Sequence, residues 1–246
     1  MTFSIEDLRR TERLHVRAWP ALQTATIGGW LWRCSGGGSQ RANSVSTLDF
    51  SGADAQAALD EVEARYREKG QPARLHSFSA GRPENLPDLL SARGYGQGET
   101  TTTMMKPVGH KPPATGVEMG EQASAEWLEV YLGAITESRR AVNSLILERV
   151  PKPRAFFACR QGGRVISTAL CVADDRCAVI ECVATRPEAR RQGGAQAVLA
   201  AIEAFAYELR VRLLGLQVSE TNAPAIALYG TLGFVAVDRN RFWVRD

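Results

Sequence analysis

No stretch of this chain approaches the ~18 consecutive apolar residues that a membrane-crossing helix requires, so no membrane partner is expected. Basic residues are not concentrated either: 30 Lys+Arg stand against 27 Asp+Glu, for a net charge of +3. There is no Lys/Arg-rich run and no set of aromatics interleaved with cations, which argues against a nucleic-acid partner. Cysteines are few and scattered (Cys34, Cys159, Cys171, Cys177, Cys182), with no C-x-x-C pair. His15, His76 and His110 are scattered too, and none has a partner at ligand spacing, so no metal site is expected. Cys171, Cys177 and Cys182 sit in strand-like segments and read as buried thiols that pack as small hydrophobes. Reduced thiols, and a charged Met1–Arg10 without an apolar stretch, point to a cytoplasmic protein without a signal peptide.

What remains is an ordinary globular composition, 44% hydrophobic and 23% charged, over 246 residues. That length suits one large domain or two small ones. Helical spacing is expected at 4–18, 53–69, 86–93, 123–137, 140–149, 193–210 and 224–232. Strands are expected at 28–34, 41–50, 74–78, 97–106, near Val117, and at 155–160, 165–173, 177–185 and 213–219. Residues 235–244 read as two short strands or one bent one. The triple glycine Gly36–Gly38 lies between strand patterns and reads as a hairpin turn rather than a phosphate loop. Pro107, Pro112 and Pro113 break the pattern, and 107–114 reads as a linker between residues 1–106 and 115–246.

The halves share an ending. Leu89, Gly94 and Tyr95 fall on Leu228, Gly233 and Phe234 at one constant offset, each set reading helix, glycine stop, strand. The order of elements agrees as well, which favours duplication of one fold over chance.

Two segments carry chemistry. From Thr185 to Ala195 an apolar strand runs into a basic, glycine-containing turn that opens a long amphipathic helix. Unpaired amides and partial positive charge at a helix start suit a diphosphate; glycines let its oxygens approach, and Arg190 and Arg191 add forked donors. The plainer reading is a solvated basic loop. It is neither G-x-G-x-x-G nor a P-loop. In the second segment a strand (Leu216–Val218) leads to Asn222, a good N-cap, with Pro224 in the first helical turn, Tyr229 two turns on and Gly233 at the stop. Each of these residues also has a purely structural reading.

Together, in this order and about 40 residues apart, the segments resemble the GNAT superfamily of acyl-CoA-dependent N-acyltransferases. That family's Gln/Arg-x-x-Gly-x-Gly/Ala signature corresponds to Arg190, Gly193 and Ala195 after Pro187. Its later motif corresponds to Asn222, Leu228-Tyr229 and Gly233-Phe234. The resemblance implies a mixed α/β sheet in which the strand ending at Thr185 splays from the strand ending at Ser219. It implies acetyl-CoA as co-substrate, its pantetheine along Val183, Ala184 and Thr185. Its pyrophosphate would lie on Arg190, Arg191, Gln192, Gly193, Gly194 and Ala195. Asn222 would lie beside the thioester, with Tyr229 as general acid toward the departing thiolate. Glu181 is the candidate base, with a solvated or ion-paired strand residue as the alternative. The acceptor would be a small amine, an amino acid or a peptide N-terminus.

Residues 1–106 lack the Arg-x-x-Gly-x-Ala loop and carry Leu90 where the second half has Tyr229. They read as a degenerate GNAT-like domain in tandem with a complete one at 115–246, and Arg41 and Asn43 are candidates for a substrate cleft between the two. The rival readings are an acyl-CoA sensor or scaffold without turnover, and an α/β protein holding another phosphate ligand.

Overall fold

The structure is a computed structural model that describes residues 3–112 and 114–246. Eleven strands form one continuous mixed sheet, with helices on both faces. The first half contributes helix α1 (Ile5–Ala18), strands β1 (Gln23–Ile27), β2 (Trp30–Cys34) and β3 (Val45–Ser46), α2 (Ala55–Glu68), β4 (Ala73–Ser77), α3 (Leu86–Ala92) and β5 (Gly96–Pro107). The second contributes β6 (Val117–Gly120), α4 (Ala125–Gly133), α5 (Glu137–Arg149), β7 (Arg154–Gln161), β8 (Arg164–Ala173) and β9 (Cys177–Thr185). It continues with α6 (Gly194–Glu208), β10 (Leu213–Ser219), α7 (Ala223–Thr231) and β11 (Val235–Arg245).

Local chemistry explains the helix starts. Ser4 and Asp7 form a capping box on α1; Asp54 and Ser124 cap α2 and α4. The expected elements are present with small shifts, apart from two differences at the start of the chain. Gln23–Ile27 forms a strand that the sequence pattern did not indicate. Of the strand expected at 41–50 only Val45–Ser46 is extended, because Ser39 caps a single 3₁₀ turn over Gln40–Asn43. Residues 235–245 form one strand, bent by register shifts between Ala236 and Asp238 and between Arg241 and Trp243. Of the stretch read as a linker, Pro107 closes β5, and Pro113 lies outside the described residues.

The strand order is β1-β2-β3-β4-β11-β5-β10-β9-β8-β7-β6. The final strand of each half therefore lies in the other half's sheet: β5 pairs with β10, and β11 with β4, while β5 and β11 pair with each other. Outward from that central pair the pattern is the same on both sides. An antiparallel pair comes first (β5·β10, β11·β4), then a parallel pair (β9·β10, β3·β4), then two antiparallel pairs, to which the second half adds a third, β6·β7, at its edge. The helix stops match as well. Tyr95 N donates to Leu90 O at 3.0 Å, and Phe234 N to Tyr229 O at 3.1 Å.

The second half's sheet is covered on both faces. Val198, Leu199 and Ile202 of α6 pack on one face with Phe157, Ile180 and Leu216. On the other, Leu14, Ala18 and Trp19 join Trp127 and Tyr131 of α4 over Leu170, Val172 and Val179. Helix α1 comes from the start of the chain, yet it lies on β8 and β9. Gly215 permits this approach, since a Cβ there would sit 2.3 Å from Thr11 Cγ2. No helix is long and apolar enough to cross a membrane among the described residues.

The exchange predicts that residues 115–246 produced alone leave an edge of β10 and both edges of β11 unpaired and exposed to aggregation. That fragment should lack a cooperative melting transition, and co-production with residues 1–114 should restore one. A soluble, cooperatively unfolding 115–246 fragment would contradict the prediction.

Candidate active site

Strands β9 and β10 start as parallel neighbours and then part. Their pairing runs from Leu213↔Cys177 to Leu216↔Ile180 and, among the described residues, goes no further. Beyond that point β9 stays on β8, with Thr168↔Ala184 and Ser167↔Thr185, and β10 stays on β5, with Gln217↔Thr103 and Ser219↔Thr101. The facing edges of 181–185 and 217–219 are left without a strand partner. A bulge bends β9 away: between Thr168↔Ala184 and Leu170↔Glu181, Cys182 and Val183 face the single residue Ala169. Cys182 has φ 55°, a left-handed conformation that costs a non-glycine residue energy and persists only where its surroundings enforce it. Ser167 Oγ pins the far end, at 2.9 Å from Ala184 O and 2.8 Å from Thr185 Oγ1.

Past Thr185 a 3₁₀ turn (Pro187–Ala189) leads into the basic loop. Arg191 (φ 61°) and Gly193 (φ 82°) are both left-handed, and α6 starts directly after them. The first bond across that start is Ala197 N to Gly193 O, so the amides of Gly194, Ala195 and Gln196 precede the helical ladder. Arg190, Arg191, Gln192 and Gly193 are exposed, and the helix dipole adds positive potential there. Gly194 is buried against β8; a Cβ would lie 3.0 Å from Ser167 Cβ, so this glycine seats α6 on the sheet.

Asn222 caps α7 by accepting from Ala225 N at 3.3 Å. Tyr229, two turns on, is buried beside Phe234, with ring centroids 6.1 Å apart. Burial, joined by the negative charge of Glu181, pushes its phenol up to about 12, so it keeps its proton at neutral pH.

Glu181 stands one residue before the bulge, its side chain 4% exposed. Arg41 reaches it from the first half with both prongs, Nη1 to Oε1 at 2.8 Å and Nη2 to Oε2 at 2.7 Å, and His15 Nδ1 lies 2.9 Å from Oε1. Burial alone would raise this carboxyl; Arg41 and His15 outweigh it and hold Glu181 at about 2. A carboxylate so held is a weak proton acceptor, and both of its oxygens are engaged. The geometry is that of the ion-paired alternative rather than of the candidate general base.

Arg41 lies over Trp19, 5.5 Å from the ring centroid. It borders a cavity of about 240 Å³ together with Trp19, Tyr131, Asn143, Gln217 and Phe242. Gln217 and Ser219, on the stretch of β10 that has left β9, line it together with Thr101 of β5. Asn43 does not join it. Asn43 Oδ1 accepts from Ser35 N at 2.8 Å and Nδ2 donates to Ser39 O at 2.9 Å and to Gly37 O, so its amide holds the glycine loop in shape.

Sequence reasoning also missed Trp19, His15, Tyr131 and Glu12, which no spacing signal marks because they come from α1 and α4. Glu12 is fully buried and accepts from Thr103 Oγ1 and from Gln217 Nε2, the latter at 2.6 Å. Asn240 Nδ2 donates to Thr103 Oγ1 at 2.9 Å, and His76 Nε2 lies 2.7 Å from Asn240 Oδ1. A chain of side-chain hydrogen bonds thus crosses β4, β11, β5 and β10. Among the described residues no group of three or more His, Cys, Asp or Glu side chains is placed to hold a metal.

The profile of the family described as "Probable histone acetyltransferase Rv0428c C-terminal" matches residues 5–243. The "Uncharacterized N-acetyltransferase YobR" of Bacillus subtilis (strain 168) is 25% identical over 250 residues, covering 98% of this chain and 100% of that protein. Among solved structures, a "GCN5-related N-acetyltransferase from Kribbella flavida" superposes with TM-score 0.69 at 16% identity, covering 100% of this chain and 96% of that one. A "Tandem GNAT protein from the clavulanic acid biosynthesis pathway" superposes with TM-score 0.58 at 16% identity, over 77% of this chain and 68% of its own.

Burial pushes the Glu12 carboxyl up to about 8, against 4.5 for an ordinary glutamate. Its contribution to stability is present in full below about 4.5 and is lost as pH rises through about 8. The melting temperature should therefore fall between about pH 4.5 and pH 8, and Glu12→Gln should flatten that fall. Identical pH slopes for the two proteins, measured by calorimetry, would contradict it.

Proposed function

The chain belongs to the "Probable histone acetyltransferase Rv0428c C-terminal" family and thereby to the GNAT superfamily of acyl-CoA-dependent N-acetyltransferases, and on that premise we propose that it moves an acetyl group from acetyl-CoA to a primary amine. The observation that carries this reading is the parting of β9 and β10 beside the glycine-containing start of α6. Extended backbone with a free edge suits the amide-bearing pantetheine arm, along Val183, Ala184 and Thr185. The first amides of α6, with Arg190 and Arg191, suit the pyrophosphate.

Acetyl-CoA supplies an activated carbonyl on a good leaving group. The protein's share is positioning and charge placement: backbone N–H groups of the bulged strand polarise the carbonyl, and the amine is held on line beside it. Tyr229 donates its proton to the departing thiolate. Asn222 fixes the start of the helix that carries Tyr229, and its place at the mouth of the gap suits a role beside the thioester. Glu181 is occupied, so the acceptor amine gives up its proton to solvent in the cavity. That cavity has the size of one side chain or a small amine, with aromatic walls from Trp19, Tyr131 and Phe242. It therefore favours a small amine, an amino acid or the terminal residue of a peptide as acceptor.

We read residues 1–106 as a worn copy of the same fold, on the matched pairing pattern. The gap equivalent to β9/β10 is closed there: Thr47 N and Oγ1 both donate to His76 O, at 3.3 and 3.0 Å, and Arg82 N donates to Thr47 O at 3.1 Å. Leu90 stands where Tyr229 stands.

Acetyl-CoA should raise the melting temperature of the wild type by mass action, and Gly193→Asp should remove the shift. Tyr229→Phe should keep the shift but lower kcat by roughly a hundredfold, as expected for loss of a general acid. No shift with the wild type would overturn the acyl-CoA reading; unchanged turnover in Tyr229→Phe would remove that residue's role.

A further inference from the structure

We propose that Arg41 is a positioning residue of the acyl-transfer site, supplied by the first half of the chain: its two-pronged bond to Glu181 holds the bulged end of β9 in the shape that leaves its edge free. The proposal rests on the acyl-transfer reading for its catalytic consequence, but not for its structural content.

Four observations meet at this contact. Arg41 and Glu181 are 140 residues apart, and the pair joins the halves at the last strand residue before the left-handed Cys182. The Glu181 carboxylate is buried, so its partner decides whether it can stay where it is. Arg41 has a fixed base: it belongs to the 3₁₀ turn that Ser39 caps, and Ser39 Oγ also accepts from Trp19 Nε1 at 2.8 Å, while Arg41 lies over the Trp19 ring. Asn43, in the same turn, ties down the preceding glycine loop with three bonds. These contacts are what a strained, bulged residue needs in order to persist.

The electrostatic surroundings leave Arg41 without a substitute. Glu181 is faced by His15 from α1, by Arg41, by its neighbour Cys182, and at longer range by Tyr229 from α7; Tyr131 of α4 sits against Cys182 and Arg41. Burial lowers His15, so at neutral pH it is an uncharged hydrogen-bond partner. Arg41 is then the one full positive charge on Glu181. Its removal leaves a buried carboxylate that must take up a proton or move toward water, and either change releases the strand. A lysine restores the charge but cannot engage both oxygens with a planar fork.

The test compares wild type, Arg41→Lys, Arg41→Ala, Glu181→Gln and the double variant Arg41→Ala/Glu181→Gln in the full chain. Amide hydrogen exchange is read first, because it needs no turnover. Exchange over 181–186 should speed up at least about tenfold in Arg41→Ala and Glu181→Gln, less in Arg41→Lys, while α6 and β7 keep wild-type protection. With an accepted amine, kcat should fall about tenfold or more in both single variants with acceptor KM within about threefold of wild type, and the double variant should be no worse than either single one. Unchanged exchange over 181–186 in Arg41→Ala would overturn the proposal. So would a rise in acceptor KM alone, which would make Arg41 a direct substrate ligand, or multiplying losses in the double variant. A wild type that shows no thermal shift with acetyl-CoA would sink the acyl-transfer reading, leaving the exchange result to decide the structural clamp by itself.

Discussion

A β-strand inside a sheet needs hydrogen-bonding partners, and in this chain the strands that complete each half come from the other half. That constraint organises everything else. β10 can afford an unpaired edge over 217–219 because β5 pairs with it along its whole length, from Leu213↔Pro107 to Ser219↔Thr101. β9 can bend away because β8 keeps hold of its far end through Ser167. The gap between two parallel strands is thus a stable feature of the fold, and the helix start beside it gains a ligand-sized neighbour.

The same exchange explains why ionisable groups are buried at the seam. α1 carries Glu12 and His15 onto β9 and β10, and the turn after the glycine loop carries Arg41 to Glu181. Buried ionic groups add little net stability compared with apolar ones of similar shape, but breaking one partner of such a pair is expensive. Their physical effect here is geometric. The Arg41–Glu181 pair fixes one strand, and the chain from His76 through Asn240 and Thr103 to Glu12 ties four strands into one register. Arg41 is supplied by the first half, in which Thr47 is bonded both to His76 and to the 78–82 loop.

Much of the architecture was legible in the sequence, because it rests on local signals. The helical period of 193–210, the N-cap Asn222 and the matched stops at Gly94 and Gly233 all act over a few residues, and all stand close to where the pattern put them. The mixed α/β sheet is the fold that the resemblance carried by these two segments implied. What the sequence hid was long-range. A strand's own periodicity does not say which neighbour it takes, so the crossing of β5 and β11 was invisible. Glu12 carries no signal of its own in the sequence, because nothing local shows that α1 lies on the sheet. Arg41 and Asn43, paired in the sequence as candidates for one cleft, are divided in the structure: one guanidinium spans the seam, while the other side chain turns back to its own loop. Glu181 stood on the expected strand, yet its partners made it an anchor.

The parted strands and the single basic helix start imply one acetyl-CoA per chain, in the gap of the second half. Titration calorimetry of acetyl-CoA into the wild-type protein, repeated with Arg190 and Arg191 both changed to Glu, tests it most directly. The prediction is one site per chain in the wild type and heat no greater than dilution in the variant. Two sites per chain, or a single site indifferent to the two arginines, would contradict it.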